Sequence, residues 1–247
     1  MTVRSTVNAT VGFAIFLFLW YLATHGNEVG DLPSPWMTVV ALGEVSSQGI
    51  LWQNVVASVF RVAWGFILAA AVGIPLGIAL GWNMLLRETL NPLVQALRPI
   101  SPIAWLPFAV IMFGGHALSS DLSAIFLLFL SAFFPIVTAS TSATISLDLK
   151  YIRSASNFGI EGIDLFRRVV LPAAFPQILT GLRLALGISW VVVVAAEMLG
   201  VETGLGYQVM DYVAAAMVVI AVIGLLLDTG MARIESIVLA RRGISRR

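Results

Sequence analysis

The chain has 247 residues, of which 59% are hydrophobic and only 11% are charged, and its mean hydropathy is +0.96. Soluble domains carry about 25% charged residues, so a chain this apolar cannot shield its surface from water in one globule. The composition therefore predicts a polytopic protein whose solvent is the lipid bilayer. The absence of cysteine excludes disulfides and thiolate metal sites, and two histidines, His25 and His116, are too few for a metal centre.

Six stretches are candidates for membrane-spanning helices, which need about 20 mostly apolar residues. In chain order they are 7–23, 55–81, 100–114, 122–140, 178–200 and 213–230. Because five spans and no convincing small-residue cleavage site follow the first, we expect it to be a retained anchor rather than a signal peptide. The third span is short and contains Pro102 and Pro107, which predicts a broken or tilted helix. The predicted fold class is therefore all-α, with residues 1–247 forming a single transmembrane domain.

The basic residues lie on one side of this predicted topology. The connections 25–54, 115–121 and 201–212 contain no Lys or Arg, whereas the other connections and both ends of the chain do. The positive-inside rule then places both termini in the cytoplasm. We therefore expect a multi-pass protein of the inner (plasma) membrane, with the connection between spans four and five also cytoplasmic.

Glycines recur on one face of the second predicted span, at Gly65, Gly73, Gly77 and Gly81. This spacing favours the close approach of another helix, although glycine is also simply common in membrane helices. The sequence has no internal repeat, and an inverted repeat would have favoured a secondary transporter.

The chain lacks the motifs of the common hydrolases. Lys150 is the only lysine and Tyr151 follows it, so a phosphate-binding G-x-x-x-x-G-K-[ST] loop is impossible. The sequence also contains no G-x-S-x-G nucleophile turn and no H-E-x-x-H zinc pair. We therefore predict no catalytic residue and no metal site, and a membrane enzyme is an alternative without a supporting motif.

The connection 148–172 is too polar to cross a membrane, yet it is patterned. Asp148 can cap a short helix over 149–158, which Gly159, expected to adopt a left-handed conformation, ends. A second helix over 161–170 has Glu161 at its start and arginines in its last turn, which suits the helix dipole, and Leu171-Pro172 is expected to stop it. Two short helices of this kind form a rigid protrusion that a partner protein can move.

The same connection resembles the E-A-A loop of ABC importer permeases. That pattern is E-A-A, three residues, G, nine residues and I-x-L-P, and the spacing from Arg153 to Pro172 matches it throughout. Arg153 replaces the glutamate, Ser154 the first alanine and Val169 the isoleucine, so an acidic contact is in doubt. In that family the loop is the coupling helix that docks in a groove of the ATPase subunit. The resemblance implies a coupling role for Arg153, Ser154, Ala155, Gly159, Ile160, Glu161, Val169, Leu171 and Pro172, with Ala155 facing the groove.

Other stretches resemble the nitrate/sulfonate/taurine/bicarbonate branch of these permeases. They are S-V-F-R-V at 58–62, G-I-P-L-G at 73–77, R-P-I-S-P-I-A-W-L-P at 98–107, T-G-L-R at 180–183, A-A-E-M at 195–198 and G-L-G-Y at 204–207. The resemblance covers nearly the whole chain, although the connection after Tyr207 looks shorter than is usual in the branch. It implies two permease copies, most simply a homodimer, two ATPase subunits that bind ATP and Mg, and a periplasmic or lipid-anchored binding protein. It implies no cofactor in this chain and no nucleic-acid partner.

Polar groups inside the predicted spans are candidates for the solute path, because such groups are costly in lipid and usually face a cavity or a partner. The candidates are Arg61, Ser101, Trp105, Ser131, Ser189, Trp190 and Glu197. The alternative for the serines and tryptophans is structural packing.

Two of these candidates carry opposite charges. Arg61 and Glu197 lie near the outer ends of spans two and five, at depths that differ by about 5 Å for a rise of about 1.5 Å per residue. We therefore hypothesise that they meet near the outer mouth and act as a gate; the alternative is that Arg61 extends to the membrane surface.

The resemblance suggests a small anion as the solute, such as nitrate, an alkanesulfonate, taurine or bicarbonate. The alternatives are an importer of a neutral precursor, such as a thiamine pyrimidine, and a stand-alone channel.

Overall fold

The computed structural model of the chain describes residues 3–24, 33–115, 118–209 and 212–241, and every regular element in these ranges is helical. The α-helices are α1 (Val3–Thr24), α2 (Pro35–Ser47), α3 (Ile50–Trp82), α4 (Met84–Leu97), α5 (Leu106–Phe113), α6 (Ser119–Ile145), α7 (Leu149–Asn157), α8 (Gly162–Leu165), α9 (Leu171–Gly200), α10 (Leu205–Gln208) and α11 (Val213–Arg241). A 3₁₀ turn, Pro102–Trp105, precedes α5, and a π-helical turn, Phe166–Val170, precedes α9. His25 and His116 lie outside the described residues.

Four helical segments are long and apolar enough to cross a membrane: α3, α6, Phe166–Gly200 and α11. A fifth span exists only if α4 and the segment Pro102–Phe113, which are bent by 92°, are counted together. The apolar part of α1, Thr10–Thr24, is shorter than the other spans. The all-helical prediction is confirmed for the described residues, and the count of six spans stays a prediction.

The predicted third span is not one straight helix over 100–114. Ser101 precedes a proline, a position that disfavours the helical conformation, and its backbone is extended at φ −56° and ψ 131°. The helical hydrogen bonds therefore break between α4 and the 3₁₀ turn. Pro102 and Pro107, on which the prediction of a broken helix was based, both lie in this segment. A regular α-helix begins only at Leu106.

The predicted outer connection 25–54 contains a helix, α2, that the hydropathy pattern did not indicate. Ser34 is its N-cap, and the Ser34 hydroxyl oxygen accepts a hydrogen bond from the Met37 N–H at 3.3 Å. Pro35 stands at the first helical position, where its missing N–H costs nothing. The Ser-Pro pair was therefore a local signal for a helix start. The spanning helices are also longer than predicted, because they continue beyond their apolar segments.

The glycine face of α3 packs against α6. A side-chain Cβ built at Gly65 would lie 2.6 Å from the Leu128 Cβ, and one built at Gly77 would lie 2.5 Å from the Val137 carbonyl oxygen. The Thr141 hydroxyl donates to the Gly77 carbonyl oxygen at 3.0 Å, which is possible only because the two backbones are close. The prediction that another helix approaches this face is confirmed.

Replacing Gly77 with leucine should destabilise the chain. The new side chain would have to displace the backbone of α6, and overpacking of this kind costs about 1–3 kcal/mol or more. The measurement is the thermal unfolding midpoint of the detergent-purified protein. The control is Gly43→Leu in α2, because nothing lies within 4 Å of a Cβ at that position. Equal shifts in both variants would contradict the close packing of α3 on α6.

Candidate functional site

An ionic cluster joins the first half of α3, the start of α6, the end of α9 and the connection after α9. The buried guanidinium of Arg61 donates from Nη1 to Glu197 Oε1 at 2.7 Å and to the Thr203 carbonyl oxygen at 2.9 Å. Its Nη2 donates to the Thr203 hydroxyl oxygen at 2.6 Å, and its Nε donates to Asp121 Oδ1 at 2.7 Å. The hypothesised contact between Arg61 and Glu197 is therefore present. Asp121 and Thr203 complete the cluster and were not among the predicted residues.

Glu197 is fully buried, and both of its carboxylate oxygens accept hydrogen bonds. Glu197 Oε2 accepts hydrogen bonds from the Ser58 hydroxyl at 2.8 Å and from the Gly206 N–H at 2.9 Å. The Ser58 hydroxyl oxygen accepts in turn from the Leu205 N–H at 2.9 Å. The carboxylate thus links α3 and α9 to the start of α10.

Two glycines let the backbone of this connection approach the carboxylate. Gly204 has φ +111°, a conformation that other residues rarely adopt, and its N–H donates to Asn54 Oδ1 at 2.9 Å. A Cβ at Gly206 would lie 2.9 Å from the Glu197 Cβ. The G-L-G-Y motif noted in the sequence therefore serves to close the connection over Glu197.

A cavity of about 620 Å³ lies beside the cluster. Its lining residues are Trp52, Gln53, Val56, Ala57, Phe60, Arg61, Asp121 and Thr203. Its polar lining thus includes three members of the cluster, and its apolar lining comes from the first three turns of α3. In this conformation the guanidinium of Arg61 is directed at protein acceptors rather than into the cavity.

Three other predicted path residues are buried between helices of the same chain. The Ser131 and Ser189 hydroxyls lie 3.0 Å apart between α6 and α9, and the Trp190 Nε1 donates to the Ile220 carbonyl oxygen of α11 at 3.0 Å. These partners favour the packing alternative in this conformation. Ser101 is exposed and Trp105 is half-buried, both at the broken segment before α5. No hydrogen bond or ion pair joins these five residues to the Arg61 cluster in the part of the chain that the structure describes.

A second ionic cluster, between α9 and α11, was missed. Arg183 donates from Nε and Nη2 to the two carboxylate oxygens of Asp228, at 2.7 and 2.6 Å. Glu235 is buried beside them, with Oε1 accepting from the Thr180 hydroxyl at 2.9 Å and Oε2 at 3.7 Å from Arg183 Nη1. The signal for it was Asp228, an acidic residue inside predicted span six.

The first helix of the polar connection forms as predicted. Helix α7 runs from Leu149 to Asn157, and Asp148 caps it by accepting a hydrogen bond from the Lys150 N–H at 3.0 Å. A side-chain hydrogen bond from Lys150 also lowers the pKa of Asp148 below its ordinary value. Gly159 has φ +73°, the left-handed conformation expected of it.

The second helix does not stop at Leu171-Pro172, so that expectation was wrong. Helix α8 continues through the π-helical turn into α9, and Leu171 keeps helical dihedrals of φ −61° and ψ −46°. Proline has no N–H, and its ring clashes with the carbonyl of the preceding turn of a normal helix. The wider π turn, in which the Leu171 N–H donates to the Phe166 carbonyl oxygen, accommodates the proline without ending the helix.

The side chains of this connection divide into exposed and covered sets. Arg153, Ser154, Gly159 and Glu161 are exposed, and Ile160, Val169, Leu171 and Pro172 are half-buried. Ala155 is only 7% exposed, so its methyl group packs on its own chain and does not face outward as expected. Phe158, which was not among the predicted residues, is 84% exposed at the end of α7.

Comparison with known proteins identifies relatives over most of the chain. Residues 73–238 match a family described as the binding-protein-dependent transport system inner membrane component. A putative ABC transporter permease protein of Methanocaldococcus jannaschii is 42% identical over 196 residues, which cover 76% of this chain and 72% of that protein. The nitrate import permease protein NrtB of Leptolyngbya laminosa is 33% identical over 243 residues, covering 92% and 85%. The taurine transport system permease protein TauC of Escherichia coli is 33% identical over 245 residues, covering 93% and 88%.

A solved structure has the same fold. A chain of the MetNI methionine ABC transporter, in inward-facing conformations, superposes with a TM-score of 0.69 at 19% identity, covering 81% of this chain and 99% of that chain. The predicted resemblance to the nitrate/sulfonate/taurine/bicarbonate branch is confirmed by the sequence relatives. ATP hydrolysis in such systems belongs to a separate ATPase subunit. The chain belongs to the family of binding-protein-dependent transport system inner membrane components and is a multi-pass permease subunit of an ABC importer.

Proposed function

We propose that this permease forms the path for a small oxyanion, such as nitrate, a sulfonate including taurine, or bicarbonate. The observation that carries this proposal is the similarity to nitrate and taurine permeases over 92% and 93% of the chain. The path residues Ser101, Trp105, Ser131, Ser189 and Trp190 are retained as candidates for other conformations of the cycle.

The functional complex contains two copies of this chain, two ATPase subunits that bind ATP and Mg, and a periplasmic or lipid-anchored binding protein. Both termini and residues 148–172 lie on the cytoplasmic side. A single copy of the chain leaves many apolar side chains exposed, such as Phe16 of α1 and Leu226 of α11. These side chains need to be covered by a second copy or by lipid. Apolar patches of this extent mark contact with another apolar surface.

The Arg61 cluster acts as the closed outer gate. Each donor group of Arg61 is bonded to Asp121, Glu197 or Thr203, so opening has to break charge-assisted hydrogen bonds. A solute that approaches the 620 Å³ cavity would meet a free guanidinium only after this step. Alternating access requires that ATP and solute favour different states of such a gate.

Helix α9 connects the coupling loop to the gate. A continuous helical path runs from Gly162 through the π turn to Gly200, and it carries Glu197 three residues from its outer end. A displacement of α7 by the ATPase subunits would therefore move Glu197 relative to Arg61 of α3. The π turn is the point at which the path can bend, since such turns interrupt regular helical hydrogen bonding.

The proposal is tested by solute uptake into proteoliposomes that contain the permease, its ATPase and its binding protein. We expect ATP-dependent accumulation of at least one of nitrate, taurine and bicarbonate, and none without the binding protein. A complex in which α7 is deleted is the control, and it should not accumulate solute. ATP-driven uptake of a neutral thiamine pyrimidine, with none of the three anions, would contradict the proposed substrate class.

A further inference from the structure

Helix α4 carries a polar stripe along one face. Its members are Glu88, Asn91, Gln95, Arg98 and, just after the helix, Ser101. Intervals of three and four residues place these side chains on one side of a helix that has about 3.6 residues per turn. All of them except the half-buried Asn91 are exposed. A different face of α4, formed by Leu90, Val94 and Leu97, packs in a cluster with α3 and α6, so the stripe takes no part in that packing.

The end of this stripe lies near the middle of the membrane. Val94 belongs to a buried cluster with Val137 of α6, and Trp105 packs against a cluster that contains Leu127 of the same helix. At a rise of about 1.5 Å per residue, each of these two α6 residues is about 12 Å from the nearer end of α6. Arg98 follows Val94 and precedes Trp105, so it lies about halfway along α6 and deep within a hydrocarbon core of about 30 Å.

A segment of this kind cannot face lipid at this depth. The side chain of Arg98 is exposed and has no hydrogen-bond or ion-pair partner in the part of the chain that the structure describes. The backbone at Ser101 is extended, and the exposed Ser101 hydroxyl makes no capping hydrogen bond. Unpaired charges and non-helical backbone inside a membrane are found where protein covers them or where they line a water-filled cavity.

A second copy of the chain has no free carboxylate at this depth to pair with Arg98. The acidic residues of the spanning helices α3, α6, α9 and α11 are Asp121, Glu197, Asp228 and Glu235. Each already forms an ion pair, the first two with Arg61 and the last two with Arg183. Glu88, at the other end of the stripe, is about 15 Å from Arg98 along α4. An anion that enters along the stripe would supply the missing counter-charge.

We propose that Arg98 is the intramembrane binding residue for the oxyanion of the transported solute, with the Ser101 hydroxyl as a second donor and the stripe of α4 as a wall of the path. A guanidinium presents a planar fork of N–H donors that fits two oxygens of an oxyanion. Because Ser101 follows Arg98 by three residues, their Cα atoms are within about 11 Å, a gap that an arginine side chain and one small anion can bridge. This inference rests on the proposed import of oxyanions.

The path is tested with single cysteines, since the natural chain has none. Gln95→Cys lies on the stripe one turn from Arg98, and Leu93→Cys is the matched control, because Leu93 is exposed on the opposite side of the same helix. In the reconstituted complex, an anionic, membrane-impermeant thiosulfonate admitted to both sides should modify Gln95→Cys about tenfold faster than Leu93→Cys, since the thiolate forms in water. Whichever anion among nitrate, taurine and bicarbonate the wild-type complex imports should slow the reaction, and sucrose at equal osmolarity should not. Equal rates for the two cysteines, or no protection by the anion, would overturn the proposal.

The free charge of Arg98 is tested by the sign of the reagent. Relative to their rates with a free thiol in solution, an anionic thiosulfonate should modify Gln95→Cys about tenfold faster than a cationic one, because an unpaired guanidinium concentrates anions around it. Adding Arg98→Gln should remove this preference, and Arg98→Lys should keep it. No preference while Arg98 is present would mean that protein neutralises the guanidinium, and the binding site would be rejected.

Uptake separates this inference from the proposed function. Arg98→Gln should lower the initial rate of anion uptake about tenfold or more, and Arg98→Lys should lower it less, because lysine keeps the charge without the fork. Since Arg98 is exposed and unpaired, the thermal unfolding midpoint of the Arg98→Gln permease should equal that of the wild type. If the wild-type complex imports none of the three anions, the proposed function fails and the binding site with it. If it imports one, and Arg98→Gln either imports that anion at the same rate or unfolds at a lower temperature, only the role of Arg98 is overturned.

Discussion

Exchanging the charges of Arg61 and Glu197 should not restore transport. On charge alone, the double variant Arg61→Glu with Glu197→Arg would rebuild the ion pair that each single variant breaks. Glu197, however, also accepts hydrogen bonds from the Ser58 hydroxyl and the Gly206 N–H. An arginine at position 197 has no acceptor, so the Gly206 N–H would be left buried and unpaired, at a cost of about 1–3 kcal/mol.

The expected result is that both single variants and the double variant abolish uptake and lower the thermal unfolding midpoint. Removing one partner of a buried pair costs about 3–5 kcal/mol, and the double variant regains only part of this. Glu202→Gln is the matched control, because Glu202 is an exposed acidic residue near the same end of α9. Wild-type uptake in the double variant would show that charge pairing alone holds the gate.

The contact between Arg61 and Glu197 could be predicted because both are charges in apolar helices. The rise per residue of a helix then fixes their depths without knowledge of the fold. Asp121 and Thr203 could not be found in this way, since one lies at the start of α6 and the other in the connection after α9. Their positions depend on how that connection folds over the bundle, which no periodicity in the sequence encodes.

The same depth argument applied to the remaining charges would have identified the second cluster. Arg183 and Asp228 both lie in predicted spans, and each needed a partner for the same reason as Arg61. Glu235 lies beyond residue 230, where span six was predicted to end. Helix α11 continues to Arg241, so Glu235 instead faces α9 from within the bundle.

Local rules predicted the first part of the polar connection and failed in the second. The cap at Asp148 and the turn at Gly159 depend only on neighbouring residues, and both are present. Pro172 was expected to end a helix because a proline breaks regular helical hydrogen bonding. The preceding turn is instead wider and contains Phe166, whose ring makes an edge-on contact with Trp82 of α3 at a ring-centroid distance of 6.3 Å. Such contacts between distant residues cannot be inferred from local sequence.

Phe158 is the side chain of the polar connection on which docking of the ATPase should depend most. It is 84% exposed at the end of α7, whereas Ala155, which the family resemblance indicated, is covered by its own chain. Burial of a phenylalanine in a partner's groove contributes about 1.5–3 kcal/mol, and aromatic anchors of this kind dominate many interfaces. Val169 and Leu171 are half-buried and pack partly against their own chain.

We expect Phe158→Asp to weaken binding of the ATPase subunits about tenfold to a hundredfold and to abolish uptake, because an aspartate in an apolar groove would also lose hydration. The measurement is the dissociation constant of the ATPase for the detergent-purified permease, with uptake by the reconstituted complex. Since Phe158 is exposed, the thermal midpoint of the permease alone should not change. Leu118→Asp is the matched control, because Leu118 is an exposed apolar residue just before α6 on the predicted outer side. Normal ATPase affinity in Phe158→Asp would remove this residue, and the end of α7, from the docking surface.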